Sequence, residues 1–319
     1  MTIHSVLVVG GSGFIGRHVL NVLAARGMSA TVPTRRRERA KHLILLPTVD
    51  VVETDVNAPG VLESLARHHD AVINLAGILH SRKAHGGEKF GADFRQAHVE
   101  LPQHIVNACH AVGVKRLVHM SALGASIDAP SEYLRSKGAG EAAVLAADDI
   151  AVTVFRPSVV FGPEDRFLNT FAKLAAVAPV IPLACADARF QPVYVGDVAQ
   201  AFVRCLNDRD SAGRGYDLVG PQTYTLREIV RYACRLDGRR RLVVGLGRGL
   251  SRLQAAAMEH LPGKLLTLDN VRSMSVPSVS DVPPPFGIEP TSMEAVAPQY
   301  LAHAAPREKY GALRYKANR

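Results

Sequence analysis

The chain has 319 residues, 47% of them hydrophobic and 21% charged, with no tryptophan and a formal net charge of +9. That length allows about two domains and a sizeable core, and the composition excludes global disorder and fibrous repeats. The four cysteines (Cys109, Cys185, Cys205 and Cys234) stand far apart, with no CxxC pair and no histidine cluster at metal-ligand spacing. Neither a disulfide framework nor a metal site is expected, and a reducing compartment is.

The apolar run Ser5–Val9 predicts the first core strand. It comes early enough to leave no room for a targeting segment, which points to a bacterial, cytoplasmic chain. Gly10-Gly-Ser12-Gly13-Phe14-Ile15-Gly16 follows directly, and a helix-compatible stretch comes next. Glycine is needed there where a Cβ would block a pyrophosphate, and again where helix packs closely on strand. Between strand and helix, GxxGxxG predicts a phosphate cradle built from residues 10, 12, 13, 14, 15 and 16. A plain glycine-rich turn is the alternative.

The second strand, predicted at Ser29–Val32, leads into Thr34-Arg35-Arg36-Arg37. No carboxylate stands ready for a ribose 2′-hydroxyl, whereas the Arg35 and Arg36 guanidiniums suit a 2′-phosphate, so NADP(H) is expected over NAD(H). A solvated basic helix start is the competing reading.

Further strands are predicted at Val49–Val52, Ala71–Leu75, Arg116–Met120 and Val152–Phe155, with helical spacing between them. The clearest stripe is Phe94, His98, Leu101, Ile105, Cys109 and Val112, in steps of three and four. Strand and helix alternating this way imply an α/β chain: a doubly wound parallel sheet of the Rossmann type over residues 1–160, with later segments returning to it.

Residues 161–319 are expected to form a smaller α/β cap with a basic C-terminal tail. Prolines punctuate its first part, and helices are predicted near Asp197–Leu206, Leu226–Leu236, Leu250–His260 and Met293–Leu301. Val282-Pro-Pro-Pro-Phe286 predicts a loop or edge. The longest apolar stretch, Leu174 to Ala186, is interrupted by Pro179 and Pro182 and is too short to span a bilayer.

Tyr133 and Lys137 are four apart on a predicted helix and share a face. A lysine beside a phenol lowers the phenol's pKa and is able to hold a nicotinamide ribose, while Ser121 is placed to hydrogen-bond a substrate carbonyl. His98 sits on the core-facing stripe, as a structural residue or a proton relay. Asp197 anchors a helix start, and Gln191 and Tyr194 line a substrate cleft or simply pack the cap. His80 and His85 fall in a polar loop segment. No GxSxG elbow supports a hydrolase.

These motifs together resemble the extended short-chain dehydrogenase/reductase (SDR) family over essentially the whole chain. Gly10, Gly13 and Gly16 match its glycine motif, and Tyr133-Leu-Arg-Ser-Lys137 its YxxxK, preceded by Ser121. Asp55-Val56 matches the pair that meets the adenine, Asn74-Leu75-Ala76-Gly77 its NNAG-like turn, and Arg156 to Pro163 and Pro192 to Val198 its later landmarks. The resemblance implies cofactor contacts from Asp55, Val56, Leu75, Ala76, Gly77, Tyr133, Lys137, Pro157, Ser158 and Val159, and catalysis by Ser121, Tyr133 and Lys137. One departure is that Gln96-Ala-His98-Val99 stands where the family commonly carries a catalytic asparagine.

A narrower likeness is to an atypical branch that includes the NADPH-carrying accessory subunit of respiratory complex I (alpha-subcomplex subunit 9) and bacterial homologues labelled NAD-dependent epimerase/dehydratase. It implies an NADP(H)-bound protein linked to respiratory-chain or quinone metabolism, either a slow oxidoreductase or a cofactor-holding accessory. The alternatives are an active NADP-dependent reductase or nucleotide-sugar epimerase/dehydratase using Ser121, Tyr133 and Lys137, and a non-catalytic interaction protein stabilised by nucleotide.

The charge is concentrated in three segments: Arg35–Lys41 at net +4, Arg235–Arg252 at +5 and Arg307–Arg319 at +4. Without a nucleic-acid module or aromatic stacking positions, nucleic acid is not expected as a partner. The first segment fits a phosphate. The other two raise contact with an inner-membrane surface or a respiratory or quinone-related complex, against a plain solvated surface.

Overall fold

A computed structural model describes residues 2–82, 84, 86–236, 238, 241–260 and 265–302. The strands in chain order are β1 (Ser5–Val9), β2 (Ser29–Thr34), β3 (Val49–Glu53), β4 (Ala71–Asn74), β5 (Arg116–Met120) and β6 (Ala151–Pro157). Then come β7 (Val160–Phe161), β8 (Val180–Leu183), β9 (Arg189–Phe190), β10 (Val193–Tyr194), β11 (Arg214–Leu218), β12 (Tyr224–Thr225) and β13 (Leu242–Gly245). The helices begin with α1 (Phe14–Ala25), α2 (Val61–Ala66), α3 (Ala92–Arg95), α4 (Leu101–Val112), α5 (Glu132–Leu145) and α6 (Leu168–Val177). They continue with α7 (Val195–Arg204), α8 (Leu226–Leu236), α9 (Arg248–Met258), α10 (Leu268–Ser273) and α11 (Met293–Leu301).

The chain divides into two compact units. The first comprises residues 1–157, 195–218 and 281–289, and the second 158–194, 219–280 and 290–319. The first unit is built on one seven-stranded sheet in the order β11-β6-β5-β4-β1-β2-β3, parallel throughout. Its central strands β1, β4, β5 and β6 are buried on both faces, as a doubly covered parallel sheet requires. On one face Leu7, Val9, Val72, Leu117 and Val152 pack with Leu101, Ile105, Cys109 and Val144 of α4 and α5. On the other, Phe155 of β6 meets Phe202 of α7 with ring centroids 4.6 Å apart, and α7 lies along α1.

Chain order reverses between β1 and β4: β2 and β3 build outward on one side of β1, and β4 starts the other side. In such sheets the ligand crevice opens beyond the carboxyl ends of the two strands flanking the reversal. Here those ends are Gly10 and Leu75–Gly77.

The predicted stripe from Phe94 to Val112 is one continuous helix, but α3 and α4 are joined by a π-turn at Gln96–Glu100, with helical dihedrals throughout. The extra residue per turn turns the buried His98 toward α5. There Gly140 carries no side chain because a Cβ would overlap the His98 carbonyl oxygen.

The second unit holds three small two-stranded sheets, β10-β7, β12-β9 and β13-β8. Asp165, nearly fully buried, accepts from the N–H groups of Gly162 (3.2 Å) and Leu168 (2.6 Å), and Tyr300 Oη donates to it at 2.8 Å. This carboxylate ties the start of α6 to α11. Val282–Phe286 is free of α-helix, and a 3-10 turn spans Pro285–Gly287. Among the described residues no helix is long and apolar enough to cross a membrane.

Gly140→Ala is expected to push α5 from the π-turn and cost about 2 kcal/mol, as overpacking of a tight contact does. A lower urea midpoint at unchanged m-value checks it.

Candidate functional site

At the end of β1 the chain turns through Gly10 at φ +83°, a left-handed conformation that suits glycine. A Cβ there would lie 2.7 Å from the Ala76 nitrogen and 2.8 Å from the Leu75 carbonyl carbon, so the turn presses against the loop after β4. Gly16 packs as tightly on the Gly11 backbone, which brings α1 down onto the turn. Gly13 caps α1 without a side-chain hydrogen bond, and no acid occupies the first turn. The result is a twelve-residue helix whose bare N-terminus, with Phe14, Ile15 and the half-buried Ser12 around it, faces outward at the switch point. Unpaired N–H groups and a positive helix end suit a pyrophosphate.

Beyond β2, Arg35 and Arg36 are exposed, and among the described residues neither guanidinium is in an ion pair. Thr34 Oγ1 donates to the Arg36 carbonyl at 3.2 Å and fixes the backbone there. Arg17, just past the glycine turn, belongs to the same corner, since its charge helps hold His42 of the following 3-10 turn below the ordinary histidine range. Sequence reasoning passed over Arg17, although its place one residue after Gly16 was a signal. Asp55 accepts from the Asn57 N–H (3.0 Å) and amide (2.8 Å), and these bonds hold its carboxyl below the usual range, helped by Arg35. Val56 lies beside it, partly buried against the core.

The second half of the site lies beyond β4 and β5. Lys137 of α5 is buried, and its ammonium donates to the carbonyl of Met120, the last residue of β5, at 3.1 Å. A Cβ on Gly77 would stand 3.2 Å from that Nζ, so the missing side chain keeps the ammonium reachable from the β4 loop. Burial pulls Lys137 down to about 8. Ser121 follows Met120 directly, and among the described residues its buried hydroxyl has no hydrogen-bond partner.

Tyr133 is half-buried, one turn before Lys137, with its ring edge-on to His98 (5.7 Å) and Phe94 (6.0 Å). The expected lowering of its phenol by Lys137 is not found. Burial dominates and pushes the phenol up to about 12.

Two histidines complete the environment. The Ile78 N–H donates to His98 Nε2 at 3.1 Å, so the ring proton sits on Nδ1, which donates to Ser136 Oγ at 2.8 Å. The Ser136 hydroxyl in turn donates to the Tyr133 carbonyl. Both nitrogens are engaged, and burial together with Lys137 suppresses the charged form, to about 2.

His119 was not singled out from sequence, where it is a lone histidine in an apolar strand. The β4–β5 register sets it beside Asn74. Asn74 Oδ1 accepts from the Ala76 N–H, which orients the amide so that its Nδ2 donates to His119 Nδ1 at 3.1 Å. The His119 proton is therefore on Nε2, buried and without a partner, and burial with Lys137's charge brings the ring to about 3.

The other predicted residues have their own local partners. Pro157 ends β6 in the first unit, where its carbonyl accepts from the Leu123 N–H at 3.0 Å. Ser158 and Val159 belong to the second unit: Ser158 Oγ donates to the Ser278 carbonyl at 2.8 Å, and the Val159 carbonyl accepts from Val193. Gln191 bridges Gly220 and Ser280, and Tyr194 packs on Phe161. Both therefore act in packing that unit. Asp197 is buried in the first turn of α7. His85 lies outside the described residues.

Comparison with known proteins bears on the fold and the family. Over 231 residues the chain is 35% identical to the mouse mitochondrial "NADH dehydrogenase [ubiquinone] 1 alpha subcomplex subunit 9", covering 70% of this chain and 59% of the relative. The chain thus spans about three fifths of that relative's length. It is 32% identical over 233 residues to a "Ceramide reductase" of Caulobacter vibrioides, covering 73% of this chain and 70% of the relative. Among solved structures, an epimerase of Methanothermobacter thermautotrophicus superposes with TM-score 0.70 at 18% identity, over 98% of this chain and 94% of that one. The model of the NAD dependent epimerase/dehydratase family matches residues 6–219, and the chain belongs to that family of extended SDR proteins.

Proposed function

We propose that the chain is an NADP(H)-dependent oxidoreductase of slow turnover. Its glycine turn and α1 hold the pyrophosphate, Arg35 and Arg36 the 2′-phosphate, and the Leu75–Gly77 loop with Tyr133 and Lys137 the nicotinamide ribose. The dinucleotide, when bound, supplies the hydride chemistry. The single observation carrying the catalytic part is Ser121: one residue past the carbonyl that holds Lys137, its buried hydroxyl has no partner among the described residues and lacks an acceptor. A substrate carbonyl oxygen is such an acceptor, and Tyr133, protonated across neutral pH, is in the form that gives a proton to it. The direction favoured is therefore reduction. A second reading keeps the same cofactor without turnover, as an accessory to respiratory-chain or quinone metabolism. It is favoured by a phenol that burial leaves unactivated, and by the likeness to the mouse subunit.

Identifying the nucleotide that co-purifies, with its redox state, tests the cofactor. NADP(H) is expected, and NAD(H) bound equally well overturns the assignment. Arg35→Ala with Arg36→Ala should weaken NADPH by about a hundredfold and leave NADH nearly unchanged, since each lost charge-assisted bond to phosphate is worth about 1.5 kcal/mol or more. Isothermal titration reads both.

Lys137 is cationic below about 8 and neutral above it, and the cation is the form that holds ribose oxygens. NADPH affinity should therefore fall as pH rises from about 7 to about 9, and Lys137→Met should bind weakly with no such slope. Tyr133→Phe separates the two readings: loss of reduction far beyond the modest loss of NADPH affinity expected for one ribose hydrogen bond supports the enzyme, and intact cellular function supports the accessory.

A further inference from the structure

The small β8–β13 sheet of the second unit departs from the usual pattern of a strand pair at a protein surface. Its parallel register sets Val180 beside Leu242 and Pro182 beside Val244. Ile181, Val243 and Leu183 point inward and are buried, as the two-residue period of a strand dictates. The opposite face should then be polar. Instead all four of its residues are apolar and exposed, Leu242 at 61%.

The adjoining helix repeats the anomaly. Two residues after β13 the chain enters α9, which is fixed beside the sheet by Gln254 Nε2 donating to the Pro182 carbonyl (2.8 Å) and Ser251 Oγ donating to the Leu246 carbonyl (3.1 Å). Ser251 and Ala255 form its buried face. At 100° per residue, the arc opposite them carries Leu250, Leu253 and Ala257, with the two leucines 58% and 67% exposed. A helix that is apolar on its outer arc as well as its inner one is built to be covered on both.

Charge indicates what covers it. From Gly238 to Met258 the sequence holds five arginines and no acid. Arg252 borders the leucine arc on α9, Arg248 is exposed at the helix's first residue, and Arg241, whose Nε donates to the Ala175 carbonyl at 2.8 Å, precedes β13; Arg239 and Arg240 lie outside the described residues. A second copy docking symmetrically through this face would set these guanidiniums against one another, because a two-fold interface meets its own patch. A surface of anionic headgroups over acyl chains complements both features, taking the leucines into its apolar layer and the arginines at its charge.

We infer that the α9 and β8–β13 face of the second unit is a docking surface for an anionic lipid bilayer. The inference goes beyond the cofactor reading and uses none of the dinucleotide residues, so either can fail alone.

The test is cosedimentation of the full chain with vesicles of phosphatidylcholine containing about a third phosphatidylglycerol, against phosphatidylcholine alone. The wild type should sediment with the anionic vesicles only, and be released by high salt. Leu250→Ser with Leu253→Ser should lower vesicle affinity by about tenfold, and Arg248→Gln with Arg252→Gln by a similar factor. NADPH binding and the urea midpoint should be unchanged in both, which shows that the variants are folded. A wild type that stays in solution overturns the inference, as does a leucine variant that sediments like the wild type. A concentration-dependent dimer lost in the leucine variant overturns it too, by assigning the face to a second copy.

Discussion

The buried ammonium of Lys137 is the charge around which the candidate site is organised. It has one internal acceptor, the Met120 carbonyl, and two histidines within its field. A cation in a poorly solvated place disfavours any second cation, so His98 and His119 are held neutral. Neutral rings have one donor and one acceptor each, and their surroundings match: Ile78 N–H to one, Asn74 amide to the other. The neutral state of both rings thus goes with a single buried cation, while the hydrogen bonds around them fix the tautomers. Among the described residues the Ser121 hydroxyl is left without a partner beside it.

Glycine makes that arrangement possible by being small. Gly10 against Ala76, Gly16 against Gly11 and Gly140 against the His98 carbonyl bring backbone to within a distance that any side chain would prevent. Only the first of these needs an unusual dihedral; the others need space. Together they draw the ends of β1, β4 and β5 and the start of α1 to one edge of the sheet.

Much of this was legible in the sequence because local pattern and tertiary environment agree. β1 and β5 lie where their apolar runs predict, and the phosphate turn, Ser121, Tyr133 and Lys137 fall where the motifs put them. Strand ends were less legible, since β2 continues through Pro33-Thr34 and β6 through Arg156-Pro157, which propensity alone would exclude. The π-turn was hidden because steps of four and three absorb one extra residue. The raised phenol of Tyr133 and the pairing of His119 with Asn74 depend on burial and register, which spacing does not encode. The β8 and β13 strands lie in proline-broken and basic stretches, and their exposed apolar face is visible only once the inward face is known.

Lys137 is a depressed, buried ammonium, and its titration followed by NMR of labelled lysine, with and without NADPH, is the decisive measurement. A midpoint of about 8 is expected in the free protein, shifted upward by NADPH as ribose oxygens and phosphate charge favour the cation. A free-protein midpoint at the ordinary lysine value, or one that NADPH leaves in place, would contradict it.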